Sequence, residues 1–194
     1  MARKHQFEKN EEIKKMIIDA ALKICLNDGY KEVTVRRIGD MIGYSTGVIY
    51  YHFRDKQDIL DSLDQKLDEE AYNAVKDIVD PSLPIRENLN LIYDFICELA
   101  YNNTEAYKRM FVTSRIEGND FTRNMWLDLI TKVLTAAADR GEISHDNIES
   151  RAKCTLSYIM GYNLLFFEIN RTTLDSAMKD KESAISFILN GILS

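Results

Sequence analysis

A short stretch from Ser45 to Lys56 concentrates hydroxyl, aromatic, imidazole and ammonium groups. Such groups can donate hydrogen bonds to phosphate oxygens and to the edges of nucleotide bases. A glycine in this stretch would let a partner approach the backbone closely, and a valine offers a methyl surface of the kind that contacts thymine. The candidate contact residues are Ser45, Thr46, Gly47, Val48, Tyr50, Tyr51, His52 and Lys56. Their chemistry indicates recognition of a nucleic acid.

Residues that could catalyse a reaction or bind a metal are dispersed along the chain. The three histidines have no partner at the i, i+4 spacing of a helical metal site, and the three cysteines form no CxxC pair. The sequence contains neither a Walker loop nor a GxGxxG motif. The dispersed residues are His5, His52 and His145, and Cys25, Cys97 and Cys154. We therefore expect a protein that is not an enzyme and that needs no metal or cofactor.

The odd number and wide separation of the cysteines also argue against a disulfide framework. Each cysteine has apolar neighbours, which favours ordinary buried thiols. Redox sensing by Cys25, Cys97 or Cys154 is the alternative, and it would require an exposed thiol in an electropositive setting.

The charge of the chain is distributed unevenly. The formal net charge is -6, but residues 1–60 carry 11 Lys and Arg against 9 Asp and Glu, while the remaining 134 residues carry 14 against 22. A slightly positive segment joined to an acidic body is expected if only the first part meets phosphate groups and the rest is repelled by them. The overall acidity is therefore compatible with nucleic-acid binding.

Helices must position the candidate contact residues, and the first part of the chain predicts three. Apolar residues recur every three or four positions from Ile13 to Ile24, and the run ends at Gly29. Thr34 can cap a second, short helix that ends at Gly43. A third short helix, from Thr46 to Phe53, follows after a few residues. The chain is therefore expected to begin with a compact three-helix domain over residues 1–55.

The last two of these helices have the spacing of a helix-turn-helix over Thr34 to Phe53. In that motif the first helix braces the second, whose exposed side lies in the major groove of DNA. Ile38 and Ile49 would both face the interior, and Phe53 is also expected to be buried. Because Tyr50 and Tyr51 are adjacent, they cannot share one face, so at least one must point outward.

After the three-helix domain, Pro81 and Pro84 interrupt the chain. The sequence on both sides of these prolines has helical patterns. Asp55-Lys-Gln-Asp opens a long helix near Lys56, which we expect to lead from the first domain into a second domain over residues 56–194. We find no alternating strand pattern, so the fold class is all-α with about nine helices. The further helices are predicted near Ile85 to Tyr101, Thr104 to Ile116, Asp120 to Arg140, Asn147 to Asn170 and Leu174 to Leu193.

The segment from Ile13 to Leu60, about a quarter of the chain, resembles the DNA-binding domain of the TetR (TetR/AcrR) family of transcriptional regulators. The resemblance is carried by Gly29-Tyr30, Thr34-Val-Arg-Arg-Ile-Gly, Gly43-Tyr44-Ser45, Gly47, Ile49-Tyr50-Tyr51-His52-Phe53, Lys56 and Ile59-Leu60, in the family's order and spacing.

The resemblance also implies roles for particular residues. Residues matching Thr34 and Lys56 hold phosphates, and residues matching Ser45, Thr46, Gly47 and Val48 begin the recognition helix. Residues matching Tyr50, Tyr51 and His52 contact the groove or the DNA backbone. Thr46 stands where the family often has a basic residue, and Val48 stands where Thr or Ala is common, so the DNA sequence preference would differ from that of relatives. Because a threonine gives up a charged contact, nonspecific affinity would depend more on other basic residues, with solvated surface charges as the alternative; these residues are Arg36, Arg37, Lys56, Arg3, Lys4 and Lys9.

For the second domain the resemblance implies a helical domain that binds a small ligand and forms a homodimer through the last two helices. Aromatic residues are abundant enough there to line an apolar pocket. Small residues in the last two helices favour close packing, with an intrachain hairpin as the alternative to a dimer. The preferred ligand-binding candidates are Tyr93, Phe111, Trp126 and Tyr162.

These observations predict a homodimeric repressor that binds a palindromic operator in double-stranded DNA and is released by a small apolar or amphipathic effector. The alternatives are a helical interaction protein of the same fold that binds no operator, and a redox-responsive regulator.

No apolar run reaches the roughly 18 residues of a membrane span, and no apolar segment follows the basic N-terminal residues. We therefore expect a cytoplasmic protein with no membrane partner.

Overall fold

The structure, a computed structural model, describes residues 2–113, 121–169 and 173–193. In these ranges it is all-α, which confirms the predicted fold class. A 3-10 turn lies at Tyr30–Glu32, and π-helical turns at Arg109–Thr113 and Leu164–Ile169. The helices are α1 (Ala2–Asp28), α2 (Val35–Ile42), α3 (Thr46–His52), α4 (Lys56–Ile78), α5 (Ile85–Asn102), α6 (Thr104–Lys108), α7 (Phe121–Asp139), α8 (Ile148–Asn163), α9 (Leu174–Lys179) and α10 (Lys181–Leu193).

The chain forms two compact units, Met1–Asp68 and Glu69–Ser194. The division lies within α4, whereas the sequence places a boundary at its beginning, between residues 55 and 56. The first half of α4 therefore belongs to the N-terminal unit, where Ile59 and Leu63 are buried.

The N-terminal unit contains the predicted three helices ahead of α4. Helix α1 begins at Ala2, well before Ile13, because its polar first part is rich in Lys, Glu and Gln, which have high helix propensity. The amphipathic part then buries one face, and Ile38 and Ile49 from α2 and α3 are 1% and 0% exposed, as expected.

Local chemistry determines where α2 begins and ends. The Thr34 hydroxyl oxygen accepts a hydrogen bond from the Arg37 backbone N–H at 3.2 Å, so Thr34 is the N-cap as predicted. Gly43 ends the helix in the left-handed region with φ 74°, which a residue with a side chain rarely adopts. These two residues set the length of α2 and the position of the turn.

The first turn of α4 is capped by two aspartates. The Asp55 carboxylate accepts a hydrogen bond from the Asp58 N–H at 2.9 Å, and the Asp58 carboxylate accepts one from the Arg54 N–H at 3.0 Å. These bonds satisfy amide groups that have no partner within the helix. The start of α4 near Lys56 is therefore where the sequence predicts it.

In the C-terminal unit the proline segment forms the connection between α4 and α5. Asn88 of α5 donates a hydrogen bond to the Asp80 carbonyl oxygen at 2.7 Å and accepts one from the Asp80 N–H at 3.1 Å. Arg140, just after α7, donates hydrogen bonds to the carbonyl oxygens of Pro81 and Leu83. The prolines interrupt the helices, and distant side chains then hold the connection in place.

Three predicted helices differ from the observed ones. The predicted helix from Asn147 to Asn170 consists of α8 and the π-helical turn Leu164–Ile169, and its last residue lies outside the described ranges. The predicted helix from Leu174 to Leu193 is divided into α9 and α10, because Asp180 adopts a turn conformation with φ -82° and ψ -7°. Beside this break, Lys181 pairs with Asp94 of α5 at 2.6 Å. The predicted helix from Thr104 to Ile116 consists of α6 and a π-helical turn up to Thr113, and its last residues lie outside the described ranges.

Candidate DNA interface

Helix α3 separates buried anchors from exposed polar groups. Ile49 is fully buried and Phe53, just after the helix, is 6% exposed, which confirms the prediction for both residues. Tyr50 and Tyr51 are 50% and 77% exposed, so both tyrosines face outward. Because Ile49 and Phe53 hold the helix, the tyrosine hydroxyls can meet a partner without disturbing the core.

The beginning of α3 is open to a partner. Ser45, Thr46 and Gly47 are exposed, and Val48 is half-buried. The Ser45 side chain makes no capping hydrogen bond to the helix. A methyl group added at Gly47 would meet only the Ser45 hydroxyl oxygen, at 3.7 Å, so the backbone here is accessible. This end of the helix combines hydroxyl groups with an accessible backbone, as contact with base edges requires.

His52 ends α3 and lies partly within a cleft. Its ring meets the ring of Tyr51 edge-on, with 5.1 Å between the centroids. The cleft, about 360 Å³ in volume, is also lined by Lys14, Lys15 and Asp58. His52 therefore lies beside two lysines of α1 that the sequence had not singled out as candidate contacts.

The basic residues of the N-terminal unit have different roles. Arg36 is exposed and makes a long contact with Asp40, at 3.9 Å. Lys56 is exposed at the first residue of α4. Arg37, in contrast, pairs with Asp28 at 2.5 Å and with Glu32 at 3.0 Å. Arg37 therefore braces α2 against the end of α1, whereas Arg36 and Lys56 remain accessible.

Gly39 has a positional role that sequence reasoning missed. Its carbonyl oxygen accepts a hydrogen bond from the Tyr44 N–H at 3.1 Å. A Cβ atom at Gly39 would lie 2.6 Å from the Tyr44 carbonyl oxygen and 3.5 Å from a methyl group of Ile49. The turn therefore passes close to this side of α2. A glycine inside an apolar helical repeat was the available signal, because such glycines often mark close packing.

In the C-terminal unit the four predicted ligand-binding residues separate into two aromatic clusters. Tyr93 and Trp126 are fully buried, Phe111 is nearly so, and Tyr162 is half-buried. The first cluster joins Tyr72, Trp126, Phe111 and Tyr107, and the second joins Tyr93, Tyr162, Tyr158, Phe166 and Phe187. The structure thus brings Phe111 and Trp126 together, and Tyr93 and Tyr162 together, in separate places.

Burial affects the ionisation of the second cluster. Loss of hydration raises the pKa of Tyr93 and also that of Tyr162 above the ordinary tyrosine value of 10.0. Desolvation likewise raises the pKa of Cys97 to about 12. Both tyrosines are therefore neutral hydroxyl groups at physiological pH, and Cys97 is an unreactive thiol.

An apolar groove of about 200 Å³ lies between α8 and α10. Cys154, Tyr158, Phe187 and Gly191 are among the residues that line it. Phe187 is 65% exposed, although most apolar residues of α10 are buried.

The cysteines differ in exposure. Cys154 lies on the outer side of α8 and is exposed, so the prediction that all three cysteines are buried is wrong for this residue. Cys25 and Cys97 are buried as expected.

The described ranges contain neither a candidate metal site nor a candidate membrane span. No group of three or more His, Cys, Asp or Glu residues could hold a metal ion there. No helix in the same ranges is both long and apolar enough to span a membrane.

The fold and the sequence both resemble bacterial regulators. Residues 17–63 match the family of bacterial regulatory proteins called the tetR family. The chain is 21% identical over 190 residues to the fatty acid metabolism regulator protein of Bacillus subtilis, covering 91% of this chain and 90% of that protein. It is 24% identical over 161 residues to IcaR, the negative transcriptional regulator of the biofilm operon icaADBC in Staphylococcus aureus, covering 80% and 81% of the two chains.

Solved structures show the same fold. The transcriptional regulator FadR from Bacillus subtilis, crystallised in complex with stearoyl-CoA, superposes with a TM-score of 0.71 at 19% identity. The superposition covers 92% of this chain and 98% of that one, so the likeness extends over both units. With the helix-turn-helix in place and regulators among the relatives, residues 17–63 are identified as a DNA-binding domain of the tetR family of bacterial regulatory proteins, and this domain lies within the N-terminal unit.

Proposed function

We propose that this protein is a repressor that binds a palindromic operator as a homodimer and is released by an amphipathic effector. The exposed face of α3 carries the proposal. Tyr50 and Tyr51 point outward from a helix that Ile49 anchors. A groove lined by phosphates and base edges would offer hydrogen-bond acceptors to the two tyrosine hydroxyl groups and would bury part of their rings.

The proposed DNA contacts form one set. Thr34, Arg36 and Lys56 would position the domain on phosphate groups, and the outer residues of α3 would contact base edges or the backbone. The Thr34 oxygen already accepts a hydrogen bond, so its hydroxyl hydrogen can be donated to a phosphate. The proposed base-reading and backbone contacts of α3 are Ser45, Thr46, Gly47, Val48, Tyr50, Tyr51 and His52.

The proposed dimer uses the groove between α8 and α10. Phe187 stacks on Tyr158 with 5.1 Å between the ring centroids, and both rings line this groove. A second copy of the chain would cover these rings and bury apolar surface. Twofold symmetry would then present two recognition helices to successive major grooves of a palindrome.

The effector that we propose is a long-chain acyl thioester. Support comes from the FadR structure, whose ligand is stearoyl-CoA, and from the aromatic clusters of the C-terminal unit, which offer apolar walls for a hydrocarbon chain. Helix α4 contributes residues to both units, so an effector that displaces α4 would alter the DNA-binding unit. Release requires that the effector bind the DNA-free conformation more tightly.

Fluorescence anisotropy with labelled DNA tests this function. The full chain should bind a palindromic fragment from its own promoter region and should not bind a scrambled fragment of equal length. Stearoyl-CoA should raise the Kd for the operator, while free CoA should leave it unchanged. Equal affinity for both fragments would contradict operator recognition, and an operator Kd that is independent of stearoyl-CoA would contradict the proposed effector.

A further inference from the structure

Trp126 carries a buried hydrogen-bond donor, the N–H group of its indole ring. It is the single tryptophan of the chain, and its side chain is fully buried. Its indole Nε1 atom has no hydrogen-bond acceptor among the residues that the structure describes. An indole N–H can only donate, and the polar atom of a buried tryptophan usually has a partner. An exception of this kind calls for a physical explanation.

The surroundings of Trp126 are aromatic. Phe111 and Tyr72 meet the indole edge-on, with centroid distances of 5.3 Å and 6.2 Å. Tyr107 packs on Phe111 at 4.8 Å, and its hydroxyl donates a hydrogen bond to the Met160 carbonyl oxygen at 2.8 Å. The Tyr107 donor is therefore satisfied within the protein. The indole N–H, in contrast, has no acceptor among the described residues and is available to an external one.

The backbone beside the indole is irregular. Phe111 lies in the π-helical turn Arg109–Thr113, which directly follows α6. Such turns lack the regular i to i-4 hydrogen-bond ladder and are frequent at functional sites. Phe111 can therefore move away from the indole at a lower cost than a residue within a regular helix could. A rearrangement here would open space next to Trp126.

We propose that the Trp126 indole N–H binds the acyl carbonyl oxygen of the effector, with Phe111 and Tyr72 against the adjoining hydrocarbon. A neutral thioester carbonyl satisfies the donor without bringing a charge among these rings, as a carboxylate would. Tyr72 lies on α4, so an acyl chain inserted beside it would act directly on that helix. The inference rests on the proposed function, because it assigns a residue to the effector proposed there.

A comparison of two ligands and three forms of the protein tests the carbonyl contact. The ligands are stearoyl-CoA and S-octadecyl-CoA, a thioether that lacks only the carbonyl oxygen. The proteins are the wild-type chain, Trp126→Phe, and Tyr107→Phe as a control that removes a hydroxyl already bonded within the protein. Isothermal titration calorimetry gives each Kd, because Trp126→Phe removes the tryptophan fluorescence of the chain.

Wild-type protein should prefer stearoyl-CoA by about tenfold, the value of one hydrogen bond. Trp126→Phe should abolish this preference, and Tyr107→Phe should retain it. In the wild-type protein, stearoyl-CoA should also shift the emission of Trp126. A preference that persists in Trp126→Phe, equal binding of both ligands to the wild type, or no binding of either would overturn the assignment. Operator binding, measured separately with the same samples, would still stand in each of these cases.

Discussion

Neighbouring residues of α3 differ sharply in burial. Ile49 is fully buried and holds the helix in the N-terminal unit, whereas Tyr51, two positions later, is 77% exposed. Successive helical positions point about 100° apart, so a single turn can supply both an anchor and a contact. Stability and DNA binding should therefore separate cleanly between these residues.

Replacing Tyr51 by Ala should weaken operator binding by about 1 to 3 kcal/mol, because it removes a hydroxyl donor and an aromatic surface from the interface. The midpoint of thermal unfolding should change little, since the side chain is mostly exposed. Anisotropy titrations and calorimetric unfolding measure the two effects. Ile49→Ala is the matched comparison and should lower the free energy of unfolding by about 2 to 5 kcal/mol. Unaltered operator affinity in Tyr51→Ala would contradict the assignment of this face.

Lys56 should contribute equally to the affinity for every DNA sequence. Lys56→Ala removes one exposed cation at the start of α4 and should weaken binding to operator and scrambled DNA by similar factors. The slope of log Kd against log salt concentration should fall by about 1. Lys132→Ala, at an exposed position of α7, should leave both quantities unchanged. A slope that is identical in all three proteins would exclude Lys56 from the phosphate contacts.

Each short helix of the motif is delimited by groups of its own sequence, and the turn between them is closely packed. Thr34 and Gly43 bound α2, and the two aspartates at 55 and 58 cap α4. The Tyr44 carbonyl oxygen then approaches Gly39 too closely for an unstrained side chain. The arrangement of α2, the turn and α3 therefore depends on glycine at position 39, because its side chain is only a hydrogen atom.

Gly39→Val should destabilise the fold by about 1 to 3 kcal/mol, because the added Cβ and methyl groups would force the turn away from α2. Chemical denaturation measures the loss. Gly47→Val makes the same change at an open position of α3 and should alter the free energy of unfolding by no more than about 0.5 kcal/mol. The close approach at Gly39 would be refuted by equal stabilities of the two variants.

Asp58 should make the start of α4 sensitive to acid. The hydrogen bond from the Arg54 N–H, and next to it the Arg54 side chain, lowers the pKa of Asp58 below its ordinary value of 3.8. A lowered folded-state pKa stabilises the protein above the unfolded value, and this stabilisation is lost as the pH falls through the folded value. Asp58→Asn should therefore have a lower unfolding midpoint than wild type above about pH 4, with the difference narrowing toward pH 2. A difference that is constant with pH would show that the charge does not contribute.

The charge distribution of the whole molecule and its proposed symmetry would both favour one orientation on DNA. Residues 1–60 carry a small positive excess, whereas the rest of the chain carries the acidic excess. Long-range repulsion between the acidic part and phosphates would favour approach through the helix-turn-helix. A dimer would double the specific contacts, since one recognition helix buries too little surface for high specificity.

Phe187→Glu should convert the protein to a monomer, because it places a charge at the centre of the proposed interface. The fold should persist, since Phe187 is 65% exposed in the single chain. Light scattering after size-exclusion chromatography gives the mass, and circular dichroism the helical content. Leu26→Glu changes another exposed apolar residue, 58% exposed in the N-terminal unit, and should remain dimeric. A dimeric Phe187→Glu variant would place the interface elsewhere.

The sequence alone determined the features that depend on neighbours along the chain. Helical periodicity, the Thr34 cap, the Gly43 stop and the proline break are local, and they predicted the bounds of α2 and α3 within about a residue. The buried positions of Ile49 and Phe53 follow from the same periodicity.

Only the tertiary structure decided how residues distant in sequence meet. It separated the four predicted ligand-binding residues into two aromatic clusters, exposed Cys154, and divided the last helix at Asp180. It also paired Arg37 with two carboxylates and left the Trp126 donor without an acceptor among the described residues. Such contacts depend on the packing of several helices against one another, and periodicity within one helix carries no information about which partner lies opposite each residue.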